Sequence, residues 1–343
     1  MEKIFFKDID RTFISHFKTE INNHQRIIIT THQEPDDDAI SSTLATKYFI
    51  ENNLQEKKDV RIVITGKRKK RWENFSGYDE IIFASDMLES LTNKDLLICL
   101  DASEWHRFTK QEPFKGKSIC IDHHPNKGNS FNIALIAPQY TSTAEIIYRL
   151  FFEKDNLNEE IASTLLLGIL GDTGSFTFID QNSSGALTVA ERLVREGKIN
   201  IQTFKSSYNK NSPGSYRALQ IFIQNSEIIS TKWPKFLCTH ITQEQANKFK
   251  DEDVSSGKEL FMHHIRSIED ITWGFTLRPK GSITTTSMRS EPCSINVRKL
   301  CEALNIGSGH DRASGGKFET TPLNAKNQIL EYINSHEAPY DDK

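Results

Sequence analysis

The chain has 343 residues, enough for two domains with a core each, and 37% of them are hydrophobic, which excludes a disordered or fibrous chain. Its 43 Lys+Arg against 46 Asp+Glu leave a formal charge of −3, which argues against a protein that coats long nucleic acid by bulk electrostatics and leaves room for a small anionic ligand. No apolar run reaches the roughly 18 residues that span a bilayer, and the opening stretch MEKIFFKDIDRTF has no signal-peptide core, so the expectation is a cytoplasmic protein without a membrane partner.

In chain order, short apolar runs at Arg26–Thr31 and at residues 60–66, 80–84, 96–101 and 118–122 predict strands buried on both faces of a parallel sheet. Between the first two, Ala39, Ile40, Leu44, Ala45, Tyr48 and Phe49 have the spacing of a helix over residues 38–52. The basic run Lys67-Arg68-Lys69-Lys70-Arg71 before Trp72 reads as a solvated loop, with a nuclear-localisation signal a weak pattern match and Trp72 an aromatic for single-stranded nucleic acid. Cys99 and Cys120 sit in apolar runs as reduced, buried fillers, and none of the five cysteines forms a CxxC pair. From Ser142 the pattern turns helical, through residues 143–154, 158–172 and 184–197. Residues 196–227 read as a helical connector broken at Ser212-Pro213-Gly214, a reasonable hinge, and strand-like runs return after it, with helical segments at 243–250 and 297–304. The expected architecture is an α/β doubly wound domain on a mainly parallel sheet (residues 1–195), the connector, and a smaller α+β domain (residues 228–343).

The densest chemistry is His32-Gln33-Glu34-Pro35-Asp36-Asp37-Asp38, where the first of these strands ends. A helix N-terminus accounts for one or two of the aspartates but not for His32 or Pro35. Asp101, Asp122-His123-His124 and Asp172 likewise close apolar runs, and ligands of open α/β sheets bind beyond the carboxyl ends of strands. Folding is therefore expected to bring His32, Asp36, Asp38, Asp101, His123 and Asp172 to one rim. Four carboxylates and two imidazoles without thiolate suit two divalent ions, Mn²⁺ first, with Mg²⁺ or Co²⁺ also fitting, and paired metals serve the hydrolysis of phosphate esters.

These residues resemble the DHH phosphoesterase superfamily, named for the triplet that stands here as Asp122-His123-His124. The resemblance runs through His32-x-x-Pro35-Asp36-x-Asp38-Ala39, Asp101 with Arg107, DHHP at 122–125, Ser142-Thr143-Ala144-Glu145 and GDTGSF at 171–176. It extends to Ser287-Met288-Arg289-Ser290 and to a glycine-rich segment from Gly307 to Gly316, similar to the family's associated substrate domain. The resemblance implies His32 and Asp36 on one metal, Asp38, His123 and Asp172 on the other, and Asp101 as a bridge. It also implies His124 at the scissile phosphate, Arg107 on a phosphate, and Arg289, Gly307, Ser308, Gly309 and His310 holding substrate. The glycines have a physical reading of their own, since they let backbone N–H groups approach an anion. Two positions depart from the family: Asp37 replaces a glycine, placing an extra carboxylate beside the metals, and Ser308 replaces another.

A two-domain chain of this length is similar to the nanoRNase and pAp phosphatase group. The implied activity is trimming of short RNA or dinucleotides such as pApA to mononucleotides, together with removal of the 3′-phosphate of pAp. Alternatives are a RecJ-like single-strand exonuclease, a cyclic-dinucleotide phosphodiesterase and a nucleotide-binding regulator without turnover. Expected partners are a short oligonucleotide or dinucleotide, with a homodimer also compatible.

Overall fold

A computed structural model of the chain describes residues 3–53, 56–125, 130–154, 157–208, 210–307 and 309–341. They form two compact units, Met1–Lys210 and Asn211–Lys343.

The first unit begins with β1 (Ile4–Phe6) and α1 (Arg11–Asn23), and continues with β2 (Arg26–Thr31), α2 (Asp37–Asn53), β3 (Asp59–Thr65), β4 (Ile82–Ala84), β5 (Leu96–Leu100), β6 (Lys117–Asp122) and β7 (Ile133–Ile136). Helices α3 (Thr143–Phe151), α4 (Glu159–Asp172), α5 (Gly185–Glu196) and α6 (Ile201–Tyr208) complete it. The strands form one parallel sheet of seven in the order β1-β7-β6-β5-β2-β3-β4. Continuous apolar strands are what such a sheet requires, because successive side chains enter different cores. Ile27 and Ile29 join the large cluster under the helices, whereas Ile28, Leu97, Cys99 and Cys120 join a second cluster on the opposite face. That second face is closed by single-turn segments, Met87–Ser90 and Trp105–Arg107, whose Met87 and Trp105 pack with Phe108.

The N-terminal helix was not among the expected elements, yet its cause is local. The Asp10 carboxylate accepts the Thr12 N–H at 2.6 Å, and Phe13, Phe17 and Ile21 recur every four residues on one buried face. Phe17 meets Phe151 of α3 at 4.8 Å between ring centroids, and Phe151 stacks on Phe49 of α2 at 4.3 Å.

The second unit contains α7 (Pro213–Gln224), β8 (Glu227–Ile229), β9 (Phe236–His240), α8 (Gln243–Ala246), α9 (Asp251–His264), β10 (Trp273–Lys280), β11 (Ile283–Ser290), α10 (Val297–Ala303), β12 (Gly309–His310), β13 (Ala313–Phe318) and α11 (Pro322–Ser335). Its mixed sheet runs β12-β13-β11-β10-β9-β8, with only the β9–β10 pair parallel. One face packs Trp273, Phe275, Leu277 and Met288 against α10 and α11, and the other carries α7 and α9 with Phe222, Leu237, Val254 and Phe261. Within the expected connector, α6 belongs to the first unit and α7 to the second, so the division falls just before Ser212-Pro213-Gly214. There Ser212 caps α7 through the Ser215 N–H, with Pro213 in its first turn. Among the described residues, no helix is long and apolar enough to cross a membrane.

Candidate metal centre

Three neighbouring strands deliver the chemistry at their carboxyl ends. His32 follows the last residue of β2, Asp101 follows β5, and Asp122, the last residue of β6, is followed by His123 and His124. The chain builds β3 and β4 on one side of β2 and returns on the other with β5, so a topological switch point lies between β2 and β5, where open α/β sheets place their ligands. Asp36 and Asp38 arrive at the start of α2, with the Asp36 carboxylate accepting the Ala39 N–H at 3.0 Å, and Asp172 is the last residue of α4.

The structure brings all six expected ligands together, in two sets whose ligand atoms lie within 4.8 Å of one another: His32, Asp36 and Asp101, and Asp38, His123 and Asp172. Asp101 reaches both, its Oδ2 3.4 Å from His32 Nε2 and its Oδ1 3.6 Å from His123 Nε2. His123 Nε2 stands 2.9 Å from Asp172 Oδ2, and His32 Nε2 stands 3.8 Å from Asp36 Oδ2. A third set, Asp101, His123 and His124, draws the second histidine of the triplet to the same place. The position of Asp101 has a backbone cost, since its φ of 61° is left-handed, a conformation that Asp and Asn tolerate far better than branched residues do. Such a conformation at a buried carboxylate is the kind of strain that clusters at functional sites.

The electrostatics are those of a site built for cations. Burial and the neighbouring Asp101 push the Asp38 carboxyl well above its usual value. Burial and Asp36 raise Asp101, and burial with Asp38 raises Asp172 to about 6. Burial opposes charge on His123, but Asp172, Asp101 and Asp38 outweigh it and hold its pKa well above the ordinary value. His32 supplies the clearest test of fit. Its Nδ1 lies 2.9 Å from the Gln33 carbonyl, the contact of a ring N–H donor that leaves the lone pair on Nε2, and the buried Nε2 has no hydrogen-bond partner. A buried nitrogen left over between two carboxylates, in an oxygen-rich and thiolate-free shell, fits a divalent cation.

Residues outside the six expected ligands hold this arrangement, most of them within the motifs quoted from the sequence and Gly168 outside them. The N-terminus of α3 points two amides at Asp38, Thr143 N–H to Oδ2 at 2.7 Å and Ala144 N–H to Oδ1 at 2.8 Å, while the Thr143 hydroxyl donates to Asp101 Oδ1 at 3.0 Å. The close approach depends on Gly168 of α4, where a Cβ would fall 2.8 Å from Asp38 Oδ1 and 2.6 Å from the Ala144 Cβ. Asp122 contacts the His124 ring, with Oδ1 2.8 Å from Nδ1, and accepts the His124 N–H at 3.0 Å. Burial opposes the Asp122 charge, yet His124 and His123 hold its pKa at about 2. Arg107 closes the turn Trp105–Arg107, its carbonyl accepts the Gln33 N–H at 2.8 Å, and its charge acts on His32 and Asp36.

The basic run corrects the expectation of a solvated loop. Arg71 pairs with Asp37 Oδ2 at 2.6 Å, Trp72 Nε1 donates to Asp37 Oδ1 at 2.7 Å, and Lys69 donates to the Pro35 carbonyl at 3.1 Å. Arg68 donates to the carbonyls of Tyr78, Asp79 and Ile81, leaving Lys67 and Lys70 as the solvated members. Trp72 is 1% exposed, so it offers no surface on which a base could stack. Asp37, expected as an extra carboxylate beside the metals, is outside all three ligand sets and anchors this turn instead. Asp37→Gly should therefore destabilise the protein by about 2 kcal/mol in urea denaturation, through a buried indole N–H left without an acceptor. The same variant should bind Mn²⁺ within twofold of wild type by calorimetry.

The other expected binding residues lie in the second unit. Arg289 on β11 and His310 on β12 both pair with Ala313 of β13 and so share a row across the sheet. Ser308 lies outside the described residues. The glycines meet a packing demand: a Cβ on Gly307 would fall 2.3 Å from the Gly315 carbonyl oxygen, and one on Gly316 would fall 2.5 Å from that of Ile306. A Cβ on Gly309 would meet the Ala313 carbonyl at 2.8 Å. Backbone crosses backbone here, a need separate from the expected approach to an anion.

Comparison with known proteins agrees with the geometry. Residues 26–169 match the DHH family, N-terminal domain. It is 30% identical over 171 residues to an uncharacterized protein of Mycoplasma genitalium, and 27% identical over 186 residues to the probable bifunctional oligoribonuclease and PAP phosphatase NrnA of Streptococcus mutans. These matches cover 49% and 52% of this chain and span about half of each relative, 51% and 56%. The bifunctional oligoribonuclease and PAP phosphatase NrnA of Thermus thermophilus is 27% identical over 312 residues, 90% of this chain and 89% of that protein. The fold is that of an exopolyphosphatase-related protein from Bacteroides fragilis, with a TM-score of 0.81 at 23% identity over 95% of this chain and 98% of that one.

Proposed function

We propose that this chain is a two-metal phosphodiesterase of the DHH family that cleaves dinucleotides and very short oligonucleotides to mononucleotides and also removes the 3′-phosphate of pAp. The observation that carries the reading is Asp101, whose two carboxylate oxygens face the two ligand sets at one switch point of the sheet. In this reading His32, Asp36 and Asp101 hold one divalent ion, and Asp38, His123 and Asp172 hold the other with Asp101 shared. Bound ions, Mn²⁺ for preference, supply Lewis acidity toward a phosphoryl group and neutralise the four carboxylates. The chain's own residues do the rest. Arg107 holds a phosphate oxygen, and His124, oriented by Asp122, stands to give a proton to the leaving oxygen.

The relatives named for oligoribonuclease and PAP phosphatase activity support this substrate class. The buried Trp72 takes away the stacking aromatic of a RecJ-like exonuclease reading, and the presence of every expected ligand speaks against a regulator without turnover. With Mn²⁺ present, pAp, pApA, cyclic di-AMP, a 5′-phosphorylated trimer and a twenty-mer should be compared for product release. The expected result is fast release of nucleoside monophosphate from pApA and the trimer, adenosine 5′-monophosphate from pAp, and little from the twenty-mer. Intact pApA, trimer and pAp would overturn the proposal, and cleavage of cyclic di-AMP alone would transfer it to a cyclic-dinucleotide phosphodiesterase.

A further inference from the structure

Strand β12 forms one edge of the second sheet and is only two residues long, Gly309 and His310, which pair with Ser314 and Ala313 of β13. A hairpin so short is marginal on its own hydrogen bonds, so the direction in which it presents His310 depends on what holds its turn, Asp311-Arg312. The start of α10 and the loop before it supply one set of ties. The Val297 N–H donates to the Asp311 carbonyl at 2.9 Å, and Arg298 Nε donates to the Asp311 carboxylate at 2.7 Å. Arg312 Nη1 donates to the carbonyls of Ser294 and Ile295 at 3.1 and 3.0 Å, and the Arg312 carbonyl accepts the Ser290 N–H at 3.1 Å.

A second set comes from residues 336–341, which follow α11. Three donors lay that segment down by its carbonyls: Trp233 Nε1 to His336 at 2.7 Å, the Asn296 N–H to Pro339 at 2.6 Å, and Lys299 Nζ to Tyr340 at 3.1 Å. Its Asp341 then reaches the turn. One carboxylate oxygen pairs with Arg312, and the other accepts Asn296 Nδ2 at 2.9 Å. Asn296 is 1% exposed, caps α10 by accepting the Lys299 N–H at 3.0 Å, and also bonds the Asp311 carboxylate. Its amide thus joins the helix start, the turn and the following segment. A partly exposed ion pair contributes little by itself, but this carboxylate also satisfies a buried amide, whose donor is costly to leave unpaired.

We propose that residues 336–341 are a strap that sets the β12–β13 hairpin in its substrate-binding conformation, with Asp341 as a positioning residue acting through Arg312 and Asn296. That the hairpin meets substrate rests on the function proposed above; the strap itself rests on hydrogen bonds within the second unit. A hairpin held in one conformation beforehand does not have to be ordered when substrate arrives, so the strap acts on affinity and not on the chemical step. The proposed metal ligands all belong to the first unit. Asp341 lies 29 positions from Arg312 and 45 from Asn296, so no local pattern announces the contact.

The test uses the full chain with Mn²⁺, pApA as substrate and adenosine 5′-monophosphate as a binding probe. Asp341→Ala should raise the KM for pApA by about fivefold or more and leave kcat within about twofold of wild type. The AMP dissociation constant, read by calorimetry, should rise in parallel with KM. Asp341→Glu keeps the charge and should restore both to within about twofold. Amide hydrogen exchange gives a reading independent of substrate: the Ser290 and Val297 amides, which donate to the turn carbonyls, should exchange about threefold faster or more in Asp341→Ala. An unchanged KM and AMP affinity in folded Asp341→Ala, or a loss confined to kcat, would overturn the strap while leaving the phosphodiesterase reading intact. If Asp341→Ala fails to fold, Asp341→Asn decides by the same measurements, and wild-type values there count against the proposal. Absence of pApA hydrolysis by the wild type would sink the functional reading instead, and the exchange rates would still judge the strap.

Discussion

Asp101→Asn should reduce Mn²⁺-dependent hydrolysis of pApA by about a thousandfold in kcat, roughly 4 kcal/mol of lost transition-state stabilisation, while the metal-free protein melts at a higher temperature than wild type. The two effects have opposite signs because the same charge is responsible for both. Among the described residues, Asp101 is the only carboxylate placed against both ligand sets, so its removal weakens the hold on either ion. Without ions, however, Asp36 and Asp172 act on it with unfavourable like charge in a buried site, and an amide of the same shape relieves them. Asparagine is the informative choice, since it tolerates the left-handed φ of 61° and can still accept the Thr143 hydroxyl. Asp101→Ala at that φ adds a backbone penalty of about 1 kcal/mol and should lose the gain in melting temperature. Activity within tenfold of wild type in Asp101→Asn would remove Asp101 from the centre.

The second large effect is removal of the ions. Each divalent cation that binds only the folded chain adds about 4 kcal/mol of stability when its free concentration is a thousand times its dissociation constant. Two such cations would hold together carboxylates that repel one another in their absence. Saturating Mn²⁺ should raise the melting temperature by about 10 °C or more in scanning calorimetry, and excess EDTA should reverse the shift and abolish hydrolysis. Asp172→Asn, at one edge of one set, should keep part of the shift, whereas Asp101→Asn should keep little of it. A melting temperature indifferent to both Mn²⁺ and EDTA would contradict the metal assignment, whatever the activity.

Much of this centre was legible in the sequence because its residues close apolar runs. A strand of a parallel sheet is apolar on both faces, so β2, β5 and β6 stand out as unbroken runs, and the polar residue that ends each one is marked as a rim residue. Helix α2 declared itself by spacing and by its acidic start. Elements at the margins were harder. The three-residue β1 and the four-residue β7 are too short to show a period, and β7 is recognised by its pairing with β6 and β1. Helices α9 and α11 lie outside the expected elements and carry only local signals: three acids in the first turn of one, and Thr321 before Pro322 in the other.

What no local pattern carries is partnership across long separations. Thr143 and Ala144 donate to Asp38 from 105 and 106 positions away, and the motif Ser142-Thr143-Ala144-Glu145 marks that helix start without naming the carboxylate its amides meet. The glycine-rich segment is ambiguous in another way. Its composition fits a ligand cradle and a backbone crossing equally well, and only the position of Gly315 and Ile306 against it separates the two demands. Asp37 looked like surplus charge for the same reason, since its partners Arg71 and Trp72 belong to a segment 34 and 35 positions on.

That last pairing has a consequence for how the basic hexapeptide is studied outside its parent. A synthetic peptide covering residues 67–72 would display five cations and an indole to any receptor or polyanion added to it. In the folded chain Arg68, Lys69, Arg71 and the indole are engaged by the carbonyls of Pro35, Tyr78, Asp79 and Ile81 and by Asp37. Affinities measured on the isolated segment would describe a molecule whose contacts the native protein has already satisfied internally.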